Sequence, residues 1–367
     1  MNQERLIKRF TDYCSCGSES GDELAFCEMI ENELKQLGLE TWRDEIGGQF
    51  GSNGFNVHAY LEGEGEPIMF SAHLDTATPG KTVTPVIDGD VIRSDGTSIL
   101  GSDDKSGIAA VMEALECLKE APRPHRPVEV FFSICEELGL LGSEAADYSK
   151  IRSREAVVLD GDIPGCITNQ TAGILRLHIE MTGRVSHAAL DPASGINALK
   201  AAAEVVQRTQ LGYLDDGFSV INIANFAAPG ESNMVSGKAS FDVEIRAFSE
   251  ELREQRRQYI LDIVEDVCAG TRGLSYTCEE TLRTAILNVE RDSPLFIRIC
   301  EVLAGIGAKP QILKTFAGCD ASNLDIHGIA AIDYGTGMNN VHATDEYIYI
   351  KDLADTARFV EGMMDAL

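Results

Sequence analysis

Four consecutive segments of the chain place histidine or carboxylate side chains at or beside the predicted ends of strands. These residues are His73 and Asp75 in SAHLDT, Asp103 and Asp104 in ILGSDDKSG, Glu136 and Glu137 in CEELGLLGS, and Asp160 in LDGD. Functional groups gather at the carboxyl ends of the strands in open α/β sheets. We therefore expect these side chains to lie close together at one edge of a sheet.

The chemistry of these side chains is that of metal ligands. Imidazole nitrogen and carboxylate oxygen together suit zinc or manganese, and no thiolate is needed. A second metal about 3.5–4 Å from the first requires a bridging carboxylate and another histidine. His342 is the best candidate, because NNVHATDE follows the glycine-rich end of a strand, AAIDYGTG. His178 and His327 are predicted to be structural.

Each of these residues also has a purely structural alternative. His73 taken alone could be a hydrogen-bonded core histidine, and Asp160 could be a turn residue. The acidic pair at 103–104 could cap the helix that follows it. The glutamate pair at 136–137 is harder to explain in this way, because adjacent carboxylates repel each other unless a cation or a proton separates them. The coincidence of four such segments favours a metal centre.

The elements that would position these residues alternate between strands and helices. Short apolar strands are predicted at 67–72, 128–134 and 156–159, and an amphipathic helix at 107–120. An opening helix over 3–37 is predicted to be interrupted near 16–21. Continuous apolar strands that alternate with helices indicate α/β architecture, with a mixed, mostly parallel sheet that has helices on both faces.

The segment 173–283 has a different pattern. Its strands alternate apolar and polar residues, as in Phe241, Val243 and Ile245 against Asp242 and Glu244. The predicted order of elements is βαββαβ, which is typical of a small ferredoxin-like α+β domain. We therefore predict that this domain is inserted into a larger one formed by 1–172 and 284–367.

Composition and charge exclude several classes of protein. The 367 residues include 31 Lys and Arg against 59 Asp and Glu, giving a formal net charge of −28. This balance argues against nucleic acid or an anionic membrane as a partner. No apolar run reaches the roughly 18 residues of a membrane span, and the N-terminus lacks the apolar region of a signal peptide. The irregular spacing of the ten cysteines predicts reduced thiols in a cytoplasmic protein.

Read in order, the motifs resemble those of one family. SAHLDT, SDGTSILGSDDKSGIAA, CEELGLLGSEA, LDGD, GRVSHAAL and NNVHATDE are similar to those of the dizinc exopeptidases and amidohydrolases. That family includes peptidase T, carboxypeptidase G, aminoacylases and succinyl-diaminopimelate desuccinylase. The chain looks most like the peptidase T branch over nearly its whole length.

The resemblance implies a cytoplasmic, zinc-dependent exopeptidase. It would hydrolyse the amide bond of small peptides, as an aminopeptidase or tripeptidase, with water activated by two Zn²⁺ ions that Co²⁺ or Mn²⁺ can replace. The residues 1–172 and 284–367 would form the catalytic domain. The inserted residues 173–283 would form a dimerisation or lid domain, so a homodimer is expected.

The resemblance also implies a role for individual residues. Glu136 would be the general base, and Asp75 would orient a ligand histidine without touching the metal itself. Asp103 would bridge the two metals, which leaves Asp104 as a neighbour. The full set of implied metal ligands is His73, Asp103, Glu137, Asp160 and His342.

Three residues of the inserted domain are expected to contact the substrate. His187, in GRVSHAAL, resembles a family histidine that reaches the active site from the partner subunit; the alternative is a polar turn residue. Arg246 would bind the carboxylate of the substrate; the alternative is a solvated charge that pairs with Glu244 or Asp242. Asn233 is a further predicted substrate-binding residue.

Two rival functions and one departure from the family pattern complete the analysis. The same site could act as an amidohydrolase on N-acyl amino acids. A non-catalytic acidic binding protein would be expected to have lost a ligand or the base, and Glu136 and His342 are both present. The family motif GG-x-D-A-N is altered here to Ala317-Gly318-Cys319-Asp320-Ala321-Ser322. The changes at Ala317 and Ser322 are expected to alter substrate contacts.

Overall fold

The chain is divided into two compact units. A computed structural model describes residues 1–214 and 217–366. The first unit comprises Met1–Gln170, Leu287–Thr315 and the chain from Cys319 onward, and the second comprises Thr171–Ile286 and Phe316–Gly318. The boundaries predicted from the sequence follow residues 172 and 283, and the short segment 316–318 has no counterpart in the prediction.

Helices and strands alternate along most of the chain. The helices are α1 (Gln3–Ser15), α2 (Leu24–Leu37), α3 (Ser102–Glu120), α4 (Leu141–Glu144), α5 (Ala198–Arg208), α6 (Glu250–Gly270), α7 (Pro294–Gly305), α8 (Asp320–Ile326) and α9 (Ile350–Met364). The strands are β1 (Glu40–Asp44), β2 (Asn56–Leu61), β3 (Ile68–His73), β4 (Val86–Asp88), β5 (Val91–Arg93), β6 (Val128–Ser133), β7 (Glu155–Gly161), β8 (Cys166–Thr171), β9 (Gly173–Thr182), β10 (Gly212–Tyr213), β11 (Ser219–Ala227), β12 (Lys238–Ala247), β13 (Ser275–Thr284), β14 (Leu287–Asn288), β15 (Gln311–Thr315), β16 (Ala330–Gly335), β17 (Met338–Asn339) and β18 (Tyr347–Tyr349).

A mixed sheet forms the centre of the first unit. Its strand order is β1-β2-β6-β3-β7-β16-β8-β14, with β15 paired to β8. The pairs β6–β3, β3–β7 and β7–β16 are parallel, whereas β1–β2, β2–β6 and β16–β8 are antiparallel. Strands buried on both faces read as continuous apolar runs, and every residue of β3 and β6 is buried. The predicted α/β fold with a mostly parallel sheet is confirmed.

The parallel strands bring the candidate ligands to the same edge of this sheet. His73 ends β3 and is paired with Ser133, which ends β6. Ser71 of β3 is paired with Val158 of β7, and Asp160 lies two residues further along that strand. The segments that follow these strands therefore leave the sheet side by side.

A second, smaller sheet in the first unit has no counterpart in the sequence analysis. Its strands run in the order β17-β18-β5-β4, and each neighbouring pair is antiparallel. These strands have only two or three residues each, which is too short for a hydrophobic period to be recognised. The loop between β17 and β18 carries His342.

The second unit is an antiparallel sheet of order β10-β11-β12-β9-β13. Helices α5 and α6 contact each other and strand β12. Alternate residues such as Leu177, Ile179 and Val243 belong to its own buried core, as the alternating pattern predicts. Apart from the two-residue strand β10, the order of elements is the predicted βαββαβ of a ferredoxin-like domain.

Two further observations bear on the expectations from composition. Within residues 1–214 and 217–366, no helix combines the length and the apolar character needed to cross a membrane. The ten cysteines are all free.

Candidate metal centre

Five side chains converge beyond the carboxyl ends of the parallel strands. His73 Nε2 lies 2.8 Å from Asp103 Oδ1 and 3.6 Å from Asp160 Oδ1. His342 Nε2 lies 3.1 Å from Asp103 Oδ2 and 2.8 Å from Glu137 Oε1. Asp103 therefore presents one carboxylate oxygen to each histidine, as a bridging ligand between two ions would.

Asp104 lies within the same cluster, but both of its oxygens are engaged. Its Oδ2 accepts the main-chain N–H of His73 at 3.3 Å, and its Oδ1 accepts that of Gly107 at 3.2 Å. Ligand atoms of His73, Asp104 and Asp160 still lie within 4.8 Å of one another, as do those of His73, Asp103 and Glu137. The hydrogen bonds give Asp104 a structural task at the start of α3, while Asp103 faces the histidines.

The residues present fit a pair of divalent cations. Glu137 Oε1 is buried and, despite its short distance to His342 Nε2, makes no hydrogen bond with any residue that the structure describes. His342 Nε2 makes its hydrogen bond with Asp103 Oδ2 instead, so Glu137 Oε1 keeps acceptor capacity that a cation can use. Two imidazoles and three carboxylates form a donor set suited to zinc, cobalt or manganese.

The pKa values of the site residues in the protein without metal also support a cation site. Although burial disfavours its charged form, the hydrogen bond to Asp103 and the nearby carboxylates of Asp160 and Asp75 raise the pKa of His73 well above its usual range. The hydrogen bond to Asp103 raises the pKa of His342 to about 9. Burial and the charge of Asp160 raise the pKa of Glu136 well above normal. Protons therefore neutralise this cluster of carboxylates when cations do not, and metal binding must displace them.

Asp75 contacts two parts of the site, one through its main-chain oxygen and the other through its carboxylate. His73 Nδ1 donates to the main-chain oxygen of Asp75 at 2.9 Å, whereas the nearest carboxylate oxygen is 3.5 Å away. That carboxylate instead accepts the main-chain N–H groups of Glu136 and Glu137 at 2.9 and 3.2 Å, and the hydroxyl of Ser20 at 2.6 Å. The predicted contact from carboxylate to histidine is thus replaced by a main-chain contact, because the carboxylate is occupied by the glutamate pair.

Glu137 lies 2.8 Å from His342, whereas the carboxylate of Glu136 forms no ion pair with a described residue. Cys135, which precedes Glu136, has a left-handed φ of 54°, so the chain turns sharply after β6. The main-chain oxygen of Glu136 accepts hydrogen bonds from Gly139 and Leu140. Its half-buried carboxylate makes no hydrogen bond with a described residue and remains available for a water molecule.

Glu346 is a buried glutamate that sequence reasoning missed. Its carboxylate accepts the main-chain N–H groups of Leu100, Gly101 and Ser102 at 2.7, 2.9 and 2.7 Å, and the hydroxyl of Ser102 at 2.5 Å. It follows His342 by four residues, in the segment NNVHATDE. One side chain therefore ties the loop of His342 to the segment that leads into Asp103.

Asp320 is a second carboxylate behind the site. It is fully buried, and its two oxygens accept hydrogen bonds from the hydroxyls of Ser133 and Ser143. Ser133 ends β6, three residues before Glu136. Of the two departures from the family motif, Ser322 is buried in α8, and Ala317 lies in the short segment of the second unit.

His187 belongs to the second unit and is exposed. Its Nδ1 accepts the main-chain N–H groups of Ala189 and Leu190, both at 3.1 Å. The neutral imidazole must then carry its proton on Nε2. His187 is thus held as a hydrogen-bond donor through Nε2.

Arg246 and Asn233 also belong to the second unit. Arg246 Nε donates to Glu244 Oε1 at 2.9 Å, and Nη1 donates to the main-chain oxygen of Phe316 at 2.7 Å. The pairing with Glu244 is the one named in the structural alternative for Arg246. Asn233 is exposed, and its main-chain oxygen accepts the N–H of Ala188 at 2.8 Å.

Comparison with known proteins identifies the class of protein. Residues 69–366 match the model of Peptidase family M20/M25/M40, and the chain belongs to this family. The uncharacterized protein YqjE of Bacillus subtilis is 28% identical and covers 100% of this chain and 99% of its own. Peptidase T of Shewanella pealeana is 26% identical over 96% of this chain and 95% of its own. The crystal structure of aminopeptidase PepT from Bacillus cereus ATCC 10987 has a TM-score of 0.93 and 28% identity, covering 99% of this chain and 98% of that one.

Within the family, the chain is a peptidase T-like member, as predicted. The prediction of a metal-dependent peptide exopeptidase is likewise confirmed.

Proposed function

We propose that the protein removes the amino-terminal residue from small peptides, using two zinc ions and Glu136 as the general base. The observation that carries the proposal is the carboxylate of Glu136, which has no hydrogen-bond partner among the described residues and lies near His73 and Asp160 in a cluster of five ligand-type side chains. Ten free thiols in the chain support a cytoplasmic location, where they stay reduced.

The ligands divide into two sets that share one carboxylate. His73 and Asp160 would hold one ion, Glu137 and His342 the other, and Asp103 would join the two. When bound, the two cations polarise the scissile carbonyl group and lower the pKa of the attacking water. Cobalt or manganese can take the place of zinc with this nitrogen and oxygen ligand set.

The residues of the chain supply the proton transfers. Glu136 accepts the proton of the water and returns it to the leaving amine. Asp75 fixes the main chain from which Glu136 and Glu137 project, because it accepts the N–H of each. The carboxylate of Asp75 thus fixes the positions of both the general base and a metal ligand.

His187 is the proposed donor to the developing oxyanion, because its Nε2 carries the proton. We propose that the partner subunit supplies it, in a homodimer formed through the second unit. The exposed edge strand β13 supports this assembly, since sheet edges pair readily, and Leu282 on it is 51% exposed.

The test is hydrolysis of tripeptides beside acetyl-amino acids by the zinc-loaded protein. We expect cleavage of the tripeptides, its loss on dialysis against a chelator, and its recovery with zinc, cobalt or manganese. Active protein that elemental analysis finds free of transition metal would contradict the metal chemistry. Preferential cleavage of acetyl-amino acids would favour the rival amidohydrolase.

A further inference from the structure

A cavity adjoins the candidate metal centre in the first unit. It has a volume of about 520 Å³ and is lined by residues 162–164 and 338–341. The first lining segment begins two residues after Asp160, and the second ends directly before His342. Asp162 also interacts electrostatically with both Asp103 and His342. The cavity is therefore formed by the same chain segments that carry ligands of both proposed ions.

The lining of this cavity combines apolar and polar side chains. Ile163, Pro164, Met338 and Val341 contribute apolar surface. The amide NH₂ groups of Asn339 and Asn340 donate to Gly337 O and Asp345 Oδ2, at 2.8 and 3.1 Å. Each of these NH₂ groups keeps a second N–H, so the polar side chains of the lining offer two amide groups and the carboxylate of Asp162, the one acidic side chain of the lining.

Asp162 is exposed to solvent, and its carboxylate has no structural task among the described residues. In turns, an aspartate commonly accepts the main-chain N–H two residues further on. That residue is Pro164, which has no N–H, and the N–H of Gly165 donates to Gly335 O instead. The side chain of Asp162 makes no hydrogen bond or ion pair with any residue in the described parts of the chain.

We infer that Asp162 binds the α-ammonium group of the first residue of the peptide substrate. The α-ammonium is attached to the carbon next to the scissile carbonyl, so its site must adjoin the metal ligands. The apolar lining then takes the first side chain, which makes peptides with an apolar amino-terminal residue the substrate class. This inference rests on the proposed function, and it explains why a peptidase would reject an N-acyl amino acid, which lacks the charge.

The experiment compares Asp162→Asn with the parent enzyme on two matched substrates. Trialanine and propionyl-dialanine differ only in the α-amino group, and release of dialanine measures both. For trialanine, we expect kcat/KM to fall about 10- to 100-fold, as for loss of one hydrogen bond to a charged group. For propionyl-dialanine, kcat/KM, or Ki if it is not cleaved, should change less than about 2-fold.

Asp90→Asn is the matched control, because Asp90 is exposed at the β4–β5 turn and its side chain has no partner among the described residues. It removes the same charge and should leave both substrates unaffected. Equal losses on both substrates, no loss on trialanine, or loss of bound metal in Asp162→Asn would overturn the inference. If the parent enzyme cleaves neither substrate, the proposed function itself fails.

Discussion

Replacing Glu346 by glutamine tests how the chain holds the bridging carboxylate in place. The substitution keeps the size of the side chain but removes its charge and turns one acceptor oxygen into a donor. Four donors face the carboxylate within 2.9 Å: Leu100 N, Gly101 N, Ser102 N and Ser102 Oγ. A glutamine leaves at least one buried main-chain N–H facing another N–H.

The magnitude follows from these contacts. An unsatisfied buried donor costs about 1–3 kcal/mol, and each remaining hydrogen bond loses about 1 kcal/mol when its acceptor becomes neutral. With one donor unsatisfied and three hydrogen bonds weakened, we expect the free energy of unfolding to fall by about 4–6 kcal/mol. The segment 100–102 leads into Asp103, and Glu346 ties it to the loop of His342. The substitution loosens both segments, so the affinity for zinc should fall about 10- to 100-fold.

Glu129→Gln provides the control for a merely structural effect. Glu129 is fully buried, and its carboxylate also accepts main-chain N–H groups, from Arg152 and Ser153 at distances down to 2.7 Å. It lies in β6 away from the ligand-bearing end, paired with Met69 near the start of β3. Urea unfolding measures the stability of both variants, and competition with a chelating dye measures their zinc affinity. Equal zinc affinities in two similarly destabilised variants would refute the role of Glu346.

The remaining predictions concern the general base, the pH dependence of zinc binding, the proposed dimer and the residue that binds the substrate carboxylate. Glu136→Gln should keep its metal and lose about 10²–10⁴ in kcat, whereas Glu137→Gln should lose metal; equal metal loss by elemental analysis would show that the pair is wrongly assigned. The pKa of His342 is raised to about 9 without metal and that of His73 is raised as well, and both must lose a proton to bind zinc, so zinc affinity in dye competition should fall by about tenfold or more per pH unit below pH 9; a flat profile would exclude both histidines as ligands. Mixed refolding of His187→Ala with Glu136→Gln should restore activity through heterodimers with one complete site; confirmed subunit exchange without activity would show that His187 does not act across the interface. Arg246→Lys should raise KM for free peptides far more than for peptides amidated at the C-terminus, and equal effects would support the structural alternative of a charge paired with Glu244.

The sequence predicted the central part of the fold well, because β3, β6 and β7 are continuous apolar runs and their polar ends stand out. It predicted the convergence of His73, Asp103 and Asp160 for the same reason. It did not predict the sheet of β4, β5, β17 and β18, whose strands are too short for a period. Glu346 was missed because its partners are main-chain groups some 240 residues away in the chain. Such long-range contacts leave no local pattern in the sequence.

The position of β16 in the central sheet has a consequence for how the protein folds during synthesis on the ribosome. β16 lies between β7 and β8, yet its residues follow those two strands by more than a hundred positions, with the whole second unit made in between. A nascent chain that has reached residue 300 already contains His73, Asp103, Glu137 and Asp160 but lacks the strand that closes the sheet beside β7. It also lacks His342. We therefore expect the growing chain to be inactive until β16 and the loop that carries His342 have been synthesised.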